Sequence, residues 1–195
     1  DLYAADSNFF RVFEHKFIEG NPEDALVGPN KIVMTKSMAE KYFPNESALN
    51  KVLTMGNDKT EFIVTGVIED VPHNTHIDFR GLLSMRSFPW MFPQQGAWLG
   101  NSFLTYFLLS ENGNHKDVDQ KLRPIVDRNV SPIFKEFMGK TLEELEADGA
   151  IYEYESMPIE DIHLYSQLEG EPGRQGDIKY VYVLLAIGVF ILIIG

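Results

Sequence analysis

The sequence predicts a folded chain in which β-strands and short helices are mixed, and three observations predict it. Runs rich in β-branched residues, KIVMT and TEFIVTGVIED, read as strands because such side chains suit a pleated, half-buried surface. KSMAEKYFP and HKDVDQKLRPIVDRNVSPIFKEFMG repeat apolar residues at helical spacing. Hydrophobic residues make up 44% of the chain and aromatic residues 12%, which fits a folded chain rather than a disordered one. Its 195 residues suffice for one ordinary domain or two small lobes.

In chain order, DSNFFRVFEHKF places Ser7 or Asn8 at a helix N-cap ahead of Phe9, Phe10 and Phe13, which share about one helical face. EGNPEDALVGPN predicts a surface connection with one turn of helix around Glu23 to Leu26. Lys31 to Thr35 reads as a strand. In the helix after it, Met38, Ala39, Tyr42 and Phe43 share one side before Pro44. Either Thr35 or Ser37 caps that helix, and Ser37 with Glu40 has the spacing of a capping box. KVLTM, the turn GNDK and TEFIVTGVIED form a hairpin in which Gly66 marks a bulge or a close backbone approach.

SFPWMFPQQG holds three aromatics and two prolines, too many breakers for a regular helix, and reads as a packed loop or an exposed contact surface. SFLTYFLLS reads as a strand. Val118, Leu122, Ile125, Val126, Ile133, Phe134 and Phe137 follow at roughly helical spacing, with Pro124 and Pro132 set to kink or split the helix. LEELEADG predicts a short acidic helix, AIYEYESMP alternates like a strand, and GEPGRQG reads as a flexible connection.

Composition also excludes. The 29 acidic residues against 17 basic ones give a formal charge of -12, which argues against a broad surface for nucleic acid. Without cysteine there is no disulfide framework, thiolate metal site or thiol nucleophile. The chain starts at Asp1 with no signal sequence and reads as an excised or processed piece.

The catalytic candidates reduce to plain structure. His73 and His76, with Asp70 and Asp78 nearby, are the only close histidine pair, but zinc needs three or four convergent ligands and this stretch lacks the helical H-E-x-x-H geometry. Glu153 and Glu155 fall on one solvated face of an alternating segment. No G-x-S-x-G elbow or phosphate-binding loop occurs. No residue is assigned a catalytic, cofactor-binding or metal role. Core packing is the first reading of Phe88, Trp90, Met91, Phe92 and Trp98, and contact with a partner or a hydrophobic ligand the second.

The last sixteen residues, YVYVLLAIGVFILIIG, hold no charge after Lys179. As a helix they span about 24 Å, against the roughly 30 Å of a hydrocarbon core. Because the apolar run reaches the end of the sequence, it reads as a truncated membrane helix with Tyr180 and Tyr182 in the interfacial belt; a buried terminal helix or strand is the alternative. Glu160, Asp161, Glu169, Glu171 and Asp177 outnumber Arg174 and Lys179 in the preceding stretch, which places the folded part outside the cytoplasm.

DSNFFRVFEHKFIEGNPEDAL, KIVMTKSMAEKYFP, FIVTGVIEDVPHNTHIDF and MPIEDIHLYS, in that order before the apolar terminus, resemble the extracytoplasmic domain of ABC transporter permeases of the MacB and FtsX type, in the long form common in Bacteroidota. The resemblance covers most of the chain. It implies an α+β, two-lobed periplasmic core with mixed sheets and short helices over residues 1–177, its N-terminal part missing. One lobe would be built from βαβ-like elements and the other would be more irregular. Residues 178–195 would be the start of a transmembrane helix.

The resemblance also implies an inner-membrane protein with its folded domain in the periplasm, and neither enzyme activity nor a cofactor in this chain. The implied partners are a cytoplasmic ATP-binding subunit, a second permease copy as dimer, the lipid bilayer at the C-terminal helix and a periplasmic partner. ATP-driven movement of the membrane helices would couple to periplasmic conformational change for export, as in efflux, or for mechanotransmission. The alternative is a membrane-tethered extracytoplasmic ligand-sensing domain of a signalling protein, which calls for one enclosed pocket with convergent polar groups.

Overall fold

Nine residues of β-branched and apolar sequence, Thr60–Ile68, form the strand on which the first half of the structure is built. The computed structural model describes residues 1–91, 97–100, 103–166 and 176–194. The chain divides into two units, Asp1–Pro93 and Gln94–Gly195.

The first unit holds β1 (Leu2–Ala5), β2 (Phe17–Gly20), β3 (Lys31–Thr35), β4 (Val52–Met55), β5 (Thr60–Ile68) and β6 (Gly81–Ser84). They form one sheet in the order β1-β6-β3-β5-β2, with β4 also paired to β5. β5 runs parallel to β3 on one edge. Its other edge is shared, antiparallel, by β4 at Thr60–Ile63 and by β2 at Gly66–Ile68. β4 and β5 are the expected hairpin, and Gly56 and Lys59 take positive φ of 78° and 54° in its turn. Parallel and antiparallel pairs therefore mix in one sheet, as the α+β reading expects.

β5 is bulged where Gly66 was singled out. Ile32 pairs with Val64 but Val33 pairs with Gly66, so Thr65 is skipped. One inserted residue changes the side-chain phase of a strand. Phe62, Val64 and Val67 consequently share one buried cluster with Ile32 and Met34, while Ile68 joins Val33 in the cluster on the other face. The Thr65 hydroxyl lies 2.6 Å from the Ala25 carbonyl, to which it donates, and 3.2 Å from that of Ile32. Gly66 also permits a close approach: a Cβ there would sit 2.6 Å from the Phe17 ring.

Helix α1 (Phe9–Val12) is a single turn with Asn8, not Ser7, at its N-cap. Its Phe9 and Phe10 pack on the second cluster. The His15 ring sits among Phe9, Phe10 and Phe79, and burial pulls its pKa below the ordinary histidine value. Around Glu23 to Leu26 the chain makes turns rather than a helix, with Asn21 accepting from Glu23 N through its side chain and from Asp24 N through its carbonyl.

Helix α2 (Lys36–Tyr42) buries Met38 and Ala39 on the first cluster. Thr35 is its N-cap and accepts from Met38 N. The Ser37–Glu40 capping box does not form, because Ser37 lies inside the first turn and gives its N–H and hydroxyl to the Asp70 carboxylate at 2.9 and 2.5 Å. Those bonds hold the Asp70 carboxyl below the usual carboxylate range.

The second unit holds α3 (His115–Asn129), α4 (Ser131–Met138), α5 (Leu142–Ala147), α6 (Ile159–Tyr165) and α7 (Ile178–Ile194). Pro124 is carried inside α3; the split falls at Val130, with Pro132 in the first turn of α4. Gly139 ends α4 at φ 72°, and Thr141 with Glu144 forms a capping box for α5. Val126, Val130 and Leu142 make a small core flanked by Phe134, Tyr152 and Tyr154.

Two expected strands are absent as strands. Residues 103–110 and 151–158 join no ladder among the described residues, and all six strands lie before residue 85. The alternation in AIYEYESMP is real, with Tyr152, Tyr154 and Ser156 turned inward and Glu153 and Glu155 outward, but side chains rather than a backbone partner hold it.

Helix α7 rises about 26 Å over its seventeen residues. Among the described residues no helix is long and apolar enough to cross a membrane.

Gly66→Ala should lower stability by about 1–3 kcal/mol, because the new methyl forces the Phe17 ring out of place. Urea unfolding should show a lower midpoint with an unchanged slope.

Candidate functional site

Segment 151–158 is fastened along α3, and there the polar groups of the second unit gather. Ser156 N–H donates to Asp119 Oδ1 at 2.7 Å, and its hydroxyl donates to the His115 carbonyl at 3.1 Å. The same hydroxyl lies 3.5 Å from His115 Nδ1, and Asp119 Oδ2 lies 3.9 Å from that nitrogen. Serine, histidine and aspartate thus meet, but a nucleophile relay needs the hydroxyl and the carboxylate on opposite ring nitrogens. Here both face Nδ1 and the hydroxyl proton is committed to a carbonyl, so the trio acts as a pin between the segment and the start of α3. These groups lie 37 and 41 residues apart in the chain, which is why no local motif announced them.

One turn along α3, Arg123 makes a two-pronged bond to Glu146 at 2.7 and 2.9 Å and a third bond from Nε to Asp127 at 2.8 Å. The pairing raises the Arg123 pKa further and holds the Glu146 carboxyl below its usual range. The depression beside Arg123 holds about 110 Å³ between Asp119, Val126, Glu153, Tyr154 and Glu155. Pockets for drug-sized ligands hold roughly 300–1,000 Å³, and this depression is smaller than that.

The aromatic candidates separate. Phe88 packs against the first core, 6.3 Å from the Phe62 ring. Trp90 meets Phe88 edge-on at 5.5 Å yet remains 72% exposed, and Met91 is exposed too. Core packing therefore describes Phe88 and not these two neighbours; Phe92 lies outside the described residues. In the second unit the Trp98 carbonyl accepts from the hydroxyls of Tyr152 and Tyr154 at 2.8 and 2.6 Å, while the Trp98 side chain is exposed. Burial pushes the Tyr152 phenol up to about 12. Leu104, Phe107, Leu108 and Leu109 add further exposed apolar surface in this unit.

The histidine pair is not assembled into a site. His73 Nδ1 lies 3.7 Å from Asp78, His76 packs against Phe13, and Asp70 is engaged by Ser37. Among the described residues no three His, Cys, Asp or Glu converge. Of the flanking charges, Glu160 and Asp161 open α6 and Asp177 accepts from Lys179 N. Glu169, Glu171, Arg174 and most of GEPGRQG lie outside the described residues. Tyr180 and Tyr182 are exposed at the start of α7.

The sequence profile of the MacB-like periplasmic core domain matches residues 1–125. The chain belongs to the MacB-like periplasmic core domain family. This MacB-like chain is similar in fold to a domain assigned to a permease protein of Porphyromonas gingivalis, with 22% identity and a TM-score of 0.50 over 65% of this chain. It spans 58% of the length of that domain. A second similar structure is the periplasmic region of MacB from Actinobacillus actinomycetemcomitans, at 15% identity and a TM-score of 0.41, covering 77% of this chain and 66% of that one. No curated protein sequence matches the chain.

Replacing both tyrosines, Tyr152→Phe with Tyr154→Phe, should lower stability by about 1–2 kcal/mol, since the Trp98 carbonyl then loses both hydroxyl donors. Either single replacement should cost clearly less than half of that, because one hydroxyl still serves the carbonyl. Urea unfolding followed by tryptophan fluorescence reads the difference.

Proposed function

We propose that this chain is the extracytoplasmic domain of an ABC transporter permease, coupling ATP-driven movement of membrane helices to periplasmic conformational change for export or mechanotransmission. The observation that carries the reading is the family match over residues 1–125. Residues 1–177 are then the periplasmic core, and residues 178–195 begin a membrane helix. An apolar helix exposed along its length is costly in water and at home in hydrocarbon, and α7 is apolar on every side and exposed from Lys179 to Ile194.

In this reading the chain performs no bond chemistry. Its partners are a cytoplasmic ATP-binding subunit, a second permease copy, the inner-membrane bilayer and a periplasmic protein. The pinned Ser156 and the saturated Arg123 support a mechanical role, because both fasten elements together and present no free reactive group.

The chain has no cysteine, so Glu136→Cys offers a unique label position on the exposed face of α4. In the full-length permease, reconstituted with its ATP-binding subunit and with any other cysteine replaced, spin labels at this position report the distance between two copies. ATP should shift that distance distribution; an unchanged distribution with active ATP hydrolysis would contradict the proposal.

A further inference from the structure

We propose that Asn112 is a self-modifying site: the Gly113 amide nitrogen closes on the Asn112 side chain, ammonia leaves, and aspartate or isoaspartate remains at the entry to α3. The reaction needs only water and this chain.

Sequence selects the position first. Of the asparagines in the chain, Asn112 is the one followed by glycine. Any other residue there puts a Cβ beside the main-chain nitrogen and obstructs its approach to the preceding side chain; glycine has none. The structure then leaves the amide at liberty. Asn114 Oδ1 accepts from Lys116 N at 3.0 Å and Asn129 Nδ2 donates to the Ile125 carbonyl at 2.8 Å, whereas among the described residues the Asn112 side chain enters no hydrogen bond. Ser110, Glu111, Asn112 and Gly113 are all exposed. They form a turn closed by the bond from Gly113 N–H to the Ser110 carbonyl at 2.8 Å. An exposed turn bond opens at low cost, and opening this one leaves the N-cap at Asn114 and the helix behind it in place.

Once the Gly113 N–H has lost its proton to hydroxide or another base from solvent, the nitrogen attacks Asn112 Cγ. The N–Cγ bond forms, the Cγ–Nδ2 bond breaks, and Nδ2 takes up a proton from water to leave as ammonia. Water then opens the cyclic imide. Cleavage at Cγ gives aspartate; cleavage at the former main-chain carbonyl gives isoaspartate, with the backbone rerouted through Cγ. Either product carries a new negative charge just ahead of α3, whose N-terminus favours one. Isoaspartate also lengthens the main chain by a methylene at the start of the helix that carries Asp119 and Arg123. The Asp148–Gly149 pair is held more firmly. Lys140 Nζ lies 2.5 Å from Asp148 Oδ2, and Gly149 N–H donates to the Glu146 carbonyl at 2.9 Å. A carboxylate is a poorer electrophile than an amide, so isoaspartate appears at 148 later than at 112.

The test is an incubation of the folded 195-residue chain in mildly alkaline buffer, sampled over days. Tandem mass spectrometry locates each exchange of an amide NH2 for OH, and methylation by a protein isoaspartate methyltransferase counts the isoaspartate formed. Position 112 should convert before every other asparagine, should convert faster as pH rises, and should carry most of the isoaspartate. Gly113→Ala should slow the conversion about ten-fold, because the added methyl obstructs the attacking nitrogen. That methyl would lie 3.1 Å from the Ser110 carbonyl oxygen, so circular dichroism melting checks that the variant is folded. Asn112→Gln, which would have to close a larger ring, should remove the early isoaspartate whether or not Gly113→Ala folds. Conversion of another asparagine ahead of Asn112, folded Gly113→Ala reacting at the parent's rate, or early isoaspartate that persists in Asn112→Gln overturns the proposal.

Discussion

The inserted residue in β5 sets the geometry of the whole first unit. A strand without a bulge would send Val64 and Val67 to opposite faces, because side chains alternate with a period of two. Skipping Thr65 puts both on the α2 side, so β5 buries Phe62, Val64 and Val67 beneath one helix and still offers Ile68 to the opposite cluster. The same bend lets β4 and β2 share one edge. Gly20 and Gly66, paired across β2 and β5, make the close approach of these two strands sterically possible, since a Cβ on Gly20 would fall 2.3 Å from the Thr65 carbonyl oxygen. The Thr65 hydroxyl adds a bond to the Ala25 carbonyl, which ties the loop before β3 to the bulge.

The second unit is assembled on a different principle. Among the described residues its core cluster is three buried residues, and discrete fastenings add to it: the Thr141–Glu144 capping box, the Arg123 fork, the Ser156 pin and the two tyrosine hydroxyls on Trp98. A two-pronged, charge-assisted hydrogen bond such as the Arg123 fork holds direction as well as distance. Such a unit is suited to being moved as a set of linked short rods. A domain that works by leverage, as proposed here, needs that property more than it needs a reactive pocket.

What was legible in the sequence followed from local rules. β-branched content located β3 and the β4–β5 hairpin, helical spacing located α2 and the α3–α4 pair, and a glycine inside an apolar strand marked the bulge. What failed depended on distant partners. SFLTYFLLS and AIYEYESMP have strand-like residues, but a strand exists only where a second backbone pairs with it, and alternation cannot supply one. Ser37 has the spacing of a cap, yet Asp70, 33 residues away, claims its hydroxyl. The site residues were hidden for the same reason: Ser156, Asp119 and Arg123 matter through pairings that cross 23 to 37 residues. The family resemblance rested on the order of packing and turn signatures, and the profile match over residues 1–125 places the chain in that family.

Native-state hydrogen exchange on the 195-residue chain tests most directly whether a laddered hub and a set of side-chain ties divide the structure between them. The account predicts the slowest exchange at Ile32–Met34 of β3 and at Val64, Val67 and Ile68 of β5. It predicts exchange orders of magnitude faster at Leu104, Thr105, Phe107, Leu108 and Leu109, whose backbone has no ladder partner among the described residues. Equal protection in the two groups, or faster exchange in β5 than in the edge strand β1, would contradict it.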